Sequence, residues 1–260
     1  MDSEVNGVNA GIVVLIVLLF AVGVALAVWQ WRSRVELLRQ RAALAVASGW
    51  TFVPDAPEMV DAWPCDPFGT GKGRRAENCV SGTSRGVPFS CFEYHYYTES
   101  HSTDAQGNRT TSRHNHRFDV AVLHLRANVP DLALQPQGAF SRLLDAFGGK
   151  DIDLEWETFN RAYRLICADR KFAFDTFGAR TMEYLVAQGA VRFCLTGGDA
   201  LVYREGRGTD PAIWGPGDPG TPVDRSPAPL DVVLTVLRGI PPFVWQDRGG
   251  VPPSLTAAQW

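Results

Sequence analysis

"VPFSCFEYHYYTESHSTDAQGNRTTSRHNHRFDVAVLHL" runs from Val87 to Leu125. Its two ends are rich in Val, Phe, Tyr and Leu with partial alternation, the pattern of half-buried strands. Its middle, residues 98–113, is polar and carries Gly107. Two such ends joined by a polar segment form an antiparallel hairpin with a loop longer than most. That hairpin sets the class: a mainly antiparallel sheet with a few helices packed on it, α+β.

Reading outward, "WTFVP" (50–54) and "RRAENCVSG" are further strands, parted by the proline-broken "DAPEMVDAWPCDPFGTGKG". "NVPDLALQPQG" reads as loop, and "AFSRLLDAFGG" (139–149) as a short amphipathic helix. "DIDLEWETF" (151–159) alternates, so Asp151, Asp153, Glu155 and Glu157 share an acidic strand face opposite Ile152, Leu154 and Trp156. "YRLICA" (163–168) is a buried strand, and Asp169 is placed to cap a helix. Two helical segments follow, parted at Gly178, and then a hairpin turning at Gly197-Gly198. Residues 206–229 form a Gly/Pro-rich flexible insertion. Residues 230–246 hold a last helix and a docking segment with Phe243, Val244 and Trp245, and 247–260 form a tail with little order.

The amino-terminal part is of another kind. After a short tail (1–10), "GIVVLIVLLFAVGVALAVWQW" (11–31) has no charge and ends in Trp29 and Trp31. At ~1.5 Å rise per residue, such a helix matches the thickness of a hydrocarbon core. Asp2 and Glu4 precede it without a Lys or Arg, which argues against a cleaved leader and for an anchor in the lipid bilayer. Arg32, Arg34, Arg39 and Arg41 follow it on a juxtamembrane helix (32–48) that Gly49 stops. They predict a single-pass plasma-membrane protein with its N-terminus outside and its main domain (49–205 and beyond) in the cytoplasm. The same arginines are candidates for contact with anionic lipid.

"FNRAYRLICADRKFAFDTFGARTMEYL" (159–185) resembles a bacterial family of single-pass membrane-anchored proteins of unassigned function. The places that carry the resemblance are Phe159, Tyr163, Asp169, Ala173, Met182 and Leu185, within a likeness spanning about residues 49–205. Phe174 and Phe177 stand where leucines are expected. The resemblance implies a fold and an anchor. It implies no catalytic residue.

Chemistry-bearing groups are sparse. Four of five histidines lie between Tyr94 and His116. If the hairpin pairs Thr98 with Arg113, His95 falls opposite His116, and His95, His114 and His116 converge as candidate zinc ligands, with Glu93 or Asp119 beside them. A one-residue slip sends His95 to the other face. The competing reading is a polar hairpin tip with no cofactor. The acidic 151–157 face is a candidate for a hard cation, but side chains in a line wrap an ion poorly, so a solvated face is the simpler reading. "FGTGKGRR" is no phosphate loop: Asp66 stands where its first glycine belongs and Gly73 follows Lys72. No G-x-S-x-G elbow is present. Five scattered cysteines without a C-x-x-C pair suit reduced core thiols. A net charge of -3 without a basic face argues against nucleic acid. The expectation is a membrane-tethered, non-catalytic interaction domain with an unknown protein partner; the alternative is a metal-dependent, hydrolase-like enzyme.

Overall fold

The computed structural model describes residues 2–84, 86–103, 107, 109–125, 127–138, 150–206, 228–246, 248, 250 and 255, with the side chains of 2–14, 16, 34, 37, 84, 150, 228 and 229 outside that set. The chain divides into two compact units, Met1–Ala43 and Leu44–Trp260. The helix expected at 139–149, most of the insertion at 206–229 and most of the tail after Asp247 lie outside the described residues.

Helix α1 is Asp2–Ala47, so the apolar run and the arginine-bearing segment after it form one helix. Gly49, at φ +71°, closes its carboxyl end while Trp50 N–H reaches back to the Ala45 carbonyl. Every described side chain from Leu15 to Trp31 is exposed, among them Phe20 at 73% and Trp29 at 66%. Among the described residues no helix is long and apolar enough to cross a membrane. Residues 11–14 and 16 of the apolar run have side chains outside that set.

The second unit is α+β. Its strands are β1 (Thr51–Asp55), β2 (Lys72–Ser84), β3 (Val87–Thr103), β4 (Arg109–His124), β5 (Leu132–Pro136), β6 (Lys150–Ile152), β7 (Tyr163–Cys167), β8 (Arg192–Thr196) and β9 (Asp199–Glu205). They form one sheet in the order β1-β2-β3-β4-β9-β8-β5-β7-β6, with every pairing antiparallel. The helices are α2 (Glu157–Ala162), α3 (Arg170–Thr176), α4 (Ala179–Gln188), α5 (Ala228–Arg238) and α6 (Pro242–Gln246).

Both faces of the sheet are buried. One face carries Phe89, Cys91, Leu123, Leu134, Leu165, Phe193 and Val202 under Phe172, Leu185, Leu237 and Trp245 from the helices. The other carries Phe92, Tyr94, Val120, Val122, Leu201 and Tyr203 under a strap of Ala56, Trp63, Cys65 and Phe68. The proline-broken segment before β2 is therefore the lid of a second core. Gly71 is there for clearance: at φ +71°, a Cβ on it would sit 2.3 Å from the Tyr96 ring.

Phe159, Tyr163, Asp169, Ala173, Met182 and Leu185 occupy core and cap positions. Phe159 packs on Tyr163 with ring centroids 5.3 Å apart, and the Tyr163 hydroxyl donates to the Leu185 carbonyl at 2.9 Å. Asp169 accepts from Phe172 N–H at 2.9 Å, capping α3 as expected. Gly178 parts α3 from α4, and Val244 and Trp245 dock while Phe243 stays half exposed.

Three expectations fail. Most of the polar segment 98–113 is strand and not loop, with β3 and β4 paired out to Thr103 and Arg109. The "loop" around Leu132 is strand β5, inserted between β8 and β7. Pro136 ends it, and four-sided burial of Leu132, Ala133 and Leu134 outweighs the flanking prolines. The acidic strand stops at Ile152, and Glu157 opens α2 instead. Asp151 binds Arg164 at 2.8 Å, Glu157 pairs with Arg161 one turn on, and the four carboxylates do not line one strand. Ile152 and Leu154 are buried as the alternation required.

Candidate functional site

The histidine hairpin comes first. β3 and β4 pair Tyr96 with His116 and Thr98 with His114, one residue off the register that would unite the three imidazoles. His114 and His116 share one face; His95, opposite Arg117, lies on the other. The expected convergence of His95, His114 and His116 does not occur. Each finds other partners: the Thr98 hydroxyl lies 3.0 Å from His116 Nε2, and the Ser100 hydroxyl 3.4 Å from His114 Nε2. His101 Nδ1 lies 3.0 Å from the Thr111 hydroxyl, and Arg113 stacks on Tyr97 at 3.6 Å. Among the described residues no group of three His, Cys, Asp or Glu side chains is placed to hold a metal ion. Past Tyr97 and Phe118 the two strands lose β2 and β9 as neighbours and continue as an exposed ribbon to Thr103 and Arg109. A two-stranded ribbon is marginal in water. The cross-strand hydroxyl–imidazole and Arg–Tyr pairs are what hold this one.

On the opposite face, His95 belongs to a buried charged group. Arg117 Nε donates to His95 Nδ1 at 3.1 Å, which places the ring proton on Nε2, 3.7 Å from Glu93. Glu93 and Asp119 are each 2% exposed and directly opposite one another. Burial, and then the neighbouring Glu93, hold the Asp119 carboxyl above the usual carboxylate range, against the pull of Arg204 and Arg117.

Another polar constellation lies at the other end of β3 and β4, on the strap-covered face. The Ser90 hydroxyl is 3.1 Å from His124 Nε2, and His124 Nδ1 is 2.9 Å from Asp199 Oδ1. Trp63 Nε1 donates to Asp199 Oδ2 at 2.8 Å. Three strands supply the groups. The β4–β9 pairing sets His124 directly opposite Asp199, and Ser90 pairs with Val122, two residues from His124 on the same face. An ionised Asp199 fixes the imidazole proton on Nδ1 and leaves Nε2 to accept from Ser90. Ser90 is buried, while the His124 side chain is 32% exposed. An open cavity of about 740 Å³ adjoins it, lined by Pro88, His124, Ala127, Asn128, Asp199 and the Gly197-Gly198 turn.

Sequence patterning points to the hairpin histidines and not to this set. Ser90 sits in no elbow motif, and three residues from three strands leave no spacing to find. Only the turn at Gly197-Gly198, which fixes where Asp199 starts β9, was readable. The thiols are as expected: all five cysteines are buried and unbridged. Burial pushes Cys79 and Cys167 up to about 11 and raises Cys91 and Cys194 as well, which disfavours thiolate chemistry.

No family model and no curated protein sequence matches the chain. The chain is similar to a solved structure, the crystal structure of the mycobacterial trehalose monomycolate transport factor A, TtfA, at 16% sequence identity and a TM-score of 0.48, covering 79% of this chain and 96% of that one. At that level the likeness carries no argument about activity or partner.

Proposed function

We propose that this protein is a membrane-tethered interaction protein: α1 anchors it in the bilayer, and the α+β domain on the arginine-rich side of the anchor presents a binding surface at the membrane. The observation that carries the reading is the exposure of Leu15, Val17, Leu18, Leu19, Phe20 and the apolar side chains that follow, through Trp31. They cover every side of the helix, so no single packed partner face would remove them from water, whereas lipid would. The indole rings of Trp29 and Trp31 suit the interface, and Arg32 and Arg39 beyond them favour the cytoplasmic side. Tethering concentrates the domain at the membrane, so a weak surface suffices. The β3–β4 ribbon, exposed from Glu99 to Thr103 and from Arg109 to Asn115, extends beyond the strands β2 and β9 that flank its base.

The full chain is expected to stay in the membrane pellet through an alkaline carbonate wash and to leave it only with detergent. The variant Leu19→Arg/Val22→Arg should be released by the wash. Photo-crosslinkers placed at Ser100 or Thr110 should join the chain to a membrane-associated protein. Release of the unaltered chain by carbonate would end the tether reading, and ribbon crosslinkers that capture nothing would end the interaction reading.

A further inference from the structure

The hydrogen bonds at Ser90, His124 and Asp199 run in one series: hydroxyl to Nε2, Nδ1–H to carboxylate, with Trp63 holding the far carboxylate oxygen. A purely structural network of this kind is normally closed over. This one is not, because the His124 imidazole and Asp199 form part of the wall of an open cavity and Pro88, on the same strand face as Ser90, lines it too. Serine is a weak nucleophile until a base takes its proton, and an imidazole held in the right tautomer by a carboxylate is such a base.

The geometry points to Ser90 as a nucleophile toward small, uncharged acyl esters, with His124 as its general base and Asp199 as the positioning residue that orients His124. Ser90 Oγ adds to the ester carbonyl carbon while its proton passes to His124 Nε2. The bond to the alcohol oxygen breaks, and His124 returns the proton to that oxygen, leaving acyl-Ser90. Water then adds to the acyl carbonyl and gives a proton to His124. The carbon–Oγ bond breaks, Oγ recovers the proton, and the free acid departs. Among the described residues no lysine or arginine lines the cavity, which favours an uncharged ester. Ser90 is buried and does not itself line the cavity, so only a short acyl group can reach its Oγ, while the alcohol part would lie in the cavity. Asn128, Gly197 and Gly198 border the same cavity, and their amide groups are candidate donors for the carbonyl oxygen. This chemistry departs from the non-catalytic domain expected from the sequence. It does not depend on the tether.

The test uses the full chain in detergent micelles, an alkyl fluorophosphonate and p-nitrophenyl acetate, read by intact mass and peptide mapping. One phosphonyl adduct is expected, on Ser90, absent in Ser90→Ala and about 100-fold slower to form in His124→Gln. In Asp199→Asn the pH profile of the phosphonylation rate should differ from that of the wild type even where circular dichroism shows an unchanged fold, an effect that a merely structural carboxylate would not give. If either variant fails to fold, mapping on the wild-type chain still decides. A wild-type chain that leaves Ser90 unmodified by both reagents, or a rate unchanged in folded His124→Gln, overturns the inference.

Discussion

Glu93 and Asp119 face each other across β3 and β4, both buried on the helix-covered side of the sheet, with His95 3.7 Å from Glu93 and Gly206 against Asp119. Two acids so placed oppose each other's ionisation, and Asp119 Oδ1 is buried without a hydrogen-bond partner among the described residues. Asp119 therefore binds its proton more tightly in the folded protein than in the unfolded chain. The sign follows: its contribution to stability is present below the ordinary value of 3.8 and is lost as pH rises through the folded value. Asp119→Asn keeps the shape and removes the charge. It is expected to raise the melting temperature at pH 7 by about 2–4 °C, the shift that ~1 kcal/mol gives a domain of this size, and the gain should shrink toward pH 4. Thermal melts of both proteins across pH 4–8 check it, and an Asn variant less stable at pH 7 would show that Arg204 and Arg117 outweigh burial.

Gly206 closes the same cluster. A Cβ there would lie 2.3 Å from Asp119 Oδ2 and 2.6 Å from its Cγ. Gly206 N–H also donates to the Arg117 carbonyl at 3.0 Å, so the backbone has little room to retreat. Gly206→Ala is expected to cost about 1–3 kcal/mol by overpacking. In an Asp119→Ala background most of that cost should disappear, because the clashing atoms are gone. Urea denaturation of the four proteins of this double-mutant cycle reads the coupling directly.

The strap over the second core hangs on Trp63. Its indole stacks near Phe92 at 5.9 Å between centroids, and its N–H is a donor to Asp199. Trp63→Phe keeps an aromatic ring and deletes the donor. A loss of about 1–3 kcal/mol is expected, the cost of depriving a part-buried carboxylate of one hydrogen bond. If Asp199 orients His124 through this contact, Ser90 phosphonylation should slow in the same variant by more than its small unfolded fraction explains.

Asp169 is the carboxylate with the opposite shift. The Phe172 N–H bond, and then Arg248 at 3.0 Å, hold its carboxyl below the usual range. The stabilisation is thus present above 3.8 and lost as pH falls through the lower folded value. Asp169→Ala should cost about 1 kcal/mol at pH 7, as for other amino-terminal caps. The difference from wild type should narrow below pH 3.5. An Asp169→Asn variant, still able to cap α3, should recover part of the loss, and equal losses in both variants would assign the effect to Arg248.

Local patterns told most of this fold. The Asp169 cap, the Gly178 break, the Gly197-Gly198 turn and the alternation in β3 and β4 each depend on neighbours within a few residues, and each is found as expected. β5 was illegible because its burial comes from β7 and β8, which are distant in sequence, while Pro130 and Pro136 beside it read as loop. The β6 reading was half right: alternation of burial persisted through Leu154, but the pairing ended at Ile152. Candidate sites fared worse for the same reason. Ser90, His124 and Asp199 meet only through the registers of two strand pairs, and no local pattern fixes a register in a polar hairpin.

That one-residue register decides what the hairpin histidines can do with a metal. His114 and His116 sit two apart on one face of the ribbon, and His95 projects from the other, toward Glu93. Two imidazoles on an exposed ribbon offer at most half of a tetrahedral zinc shell. The tag-free chain dialysed against zinc is expected to retain less than one equivalent. Whatever it retains should vanish in His114→Ala/His116→Ala and be untouched in His95→Ala. Stoichiometric zinc that is lost in His95→Ala would mean that β3 and β4 pair one residue further along in solution, uniting His95 with His116, and the ribbon rather than the Ser90 cavity would then be the reactive centre.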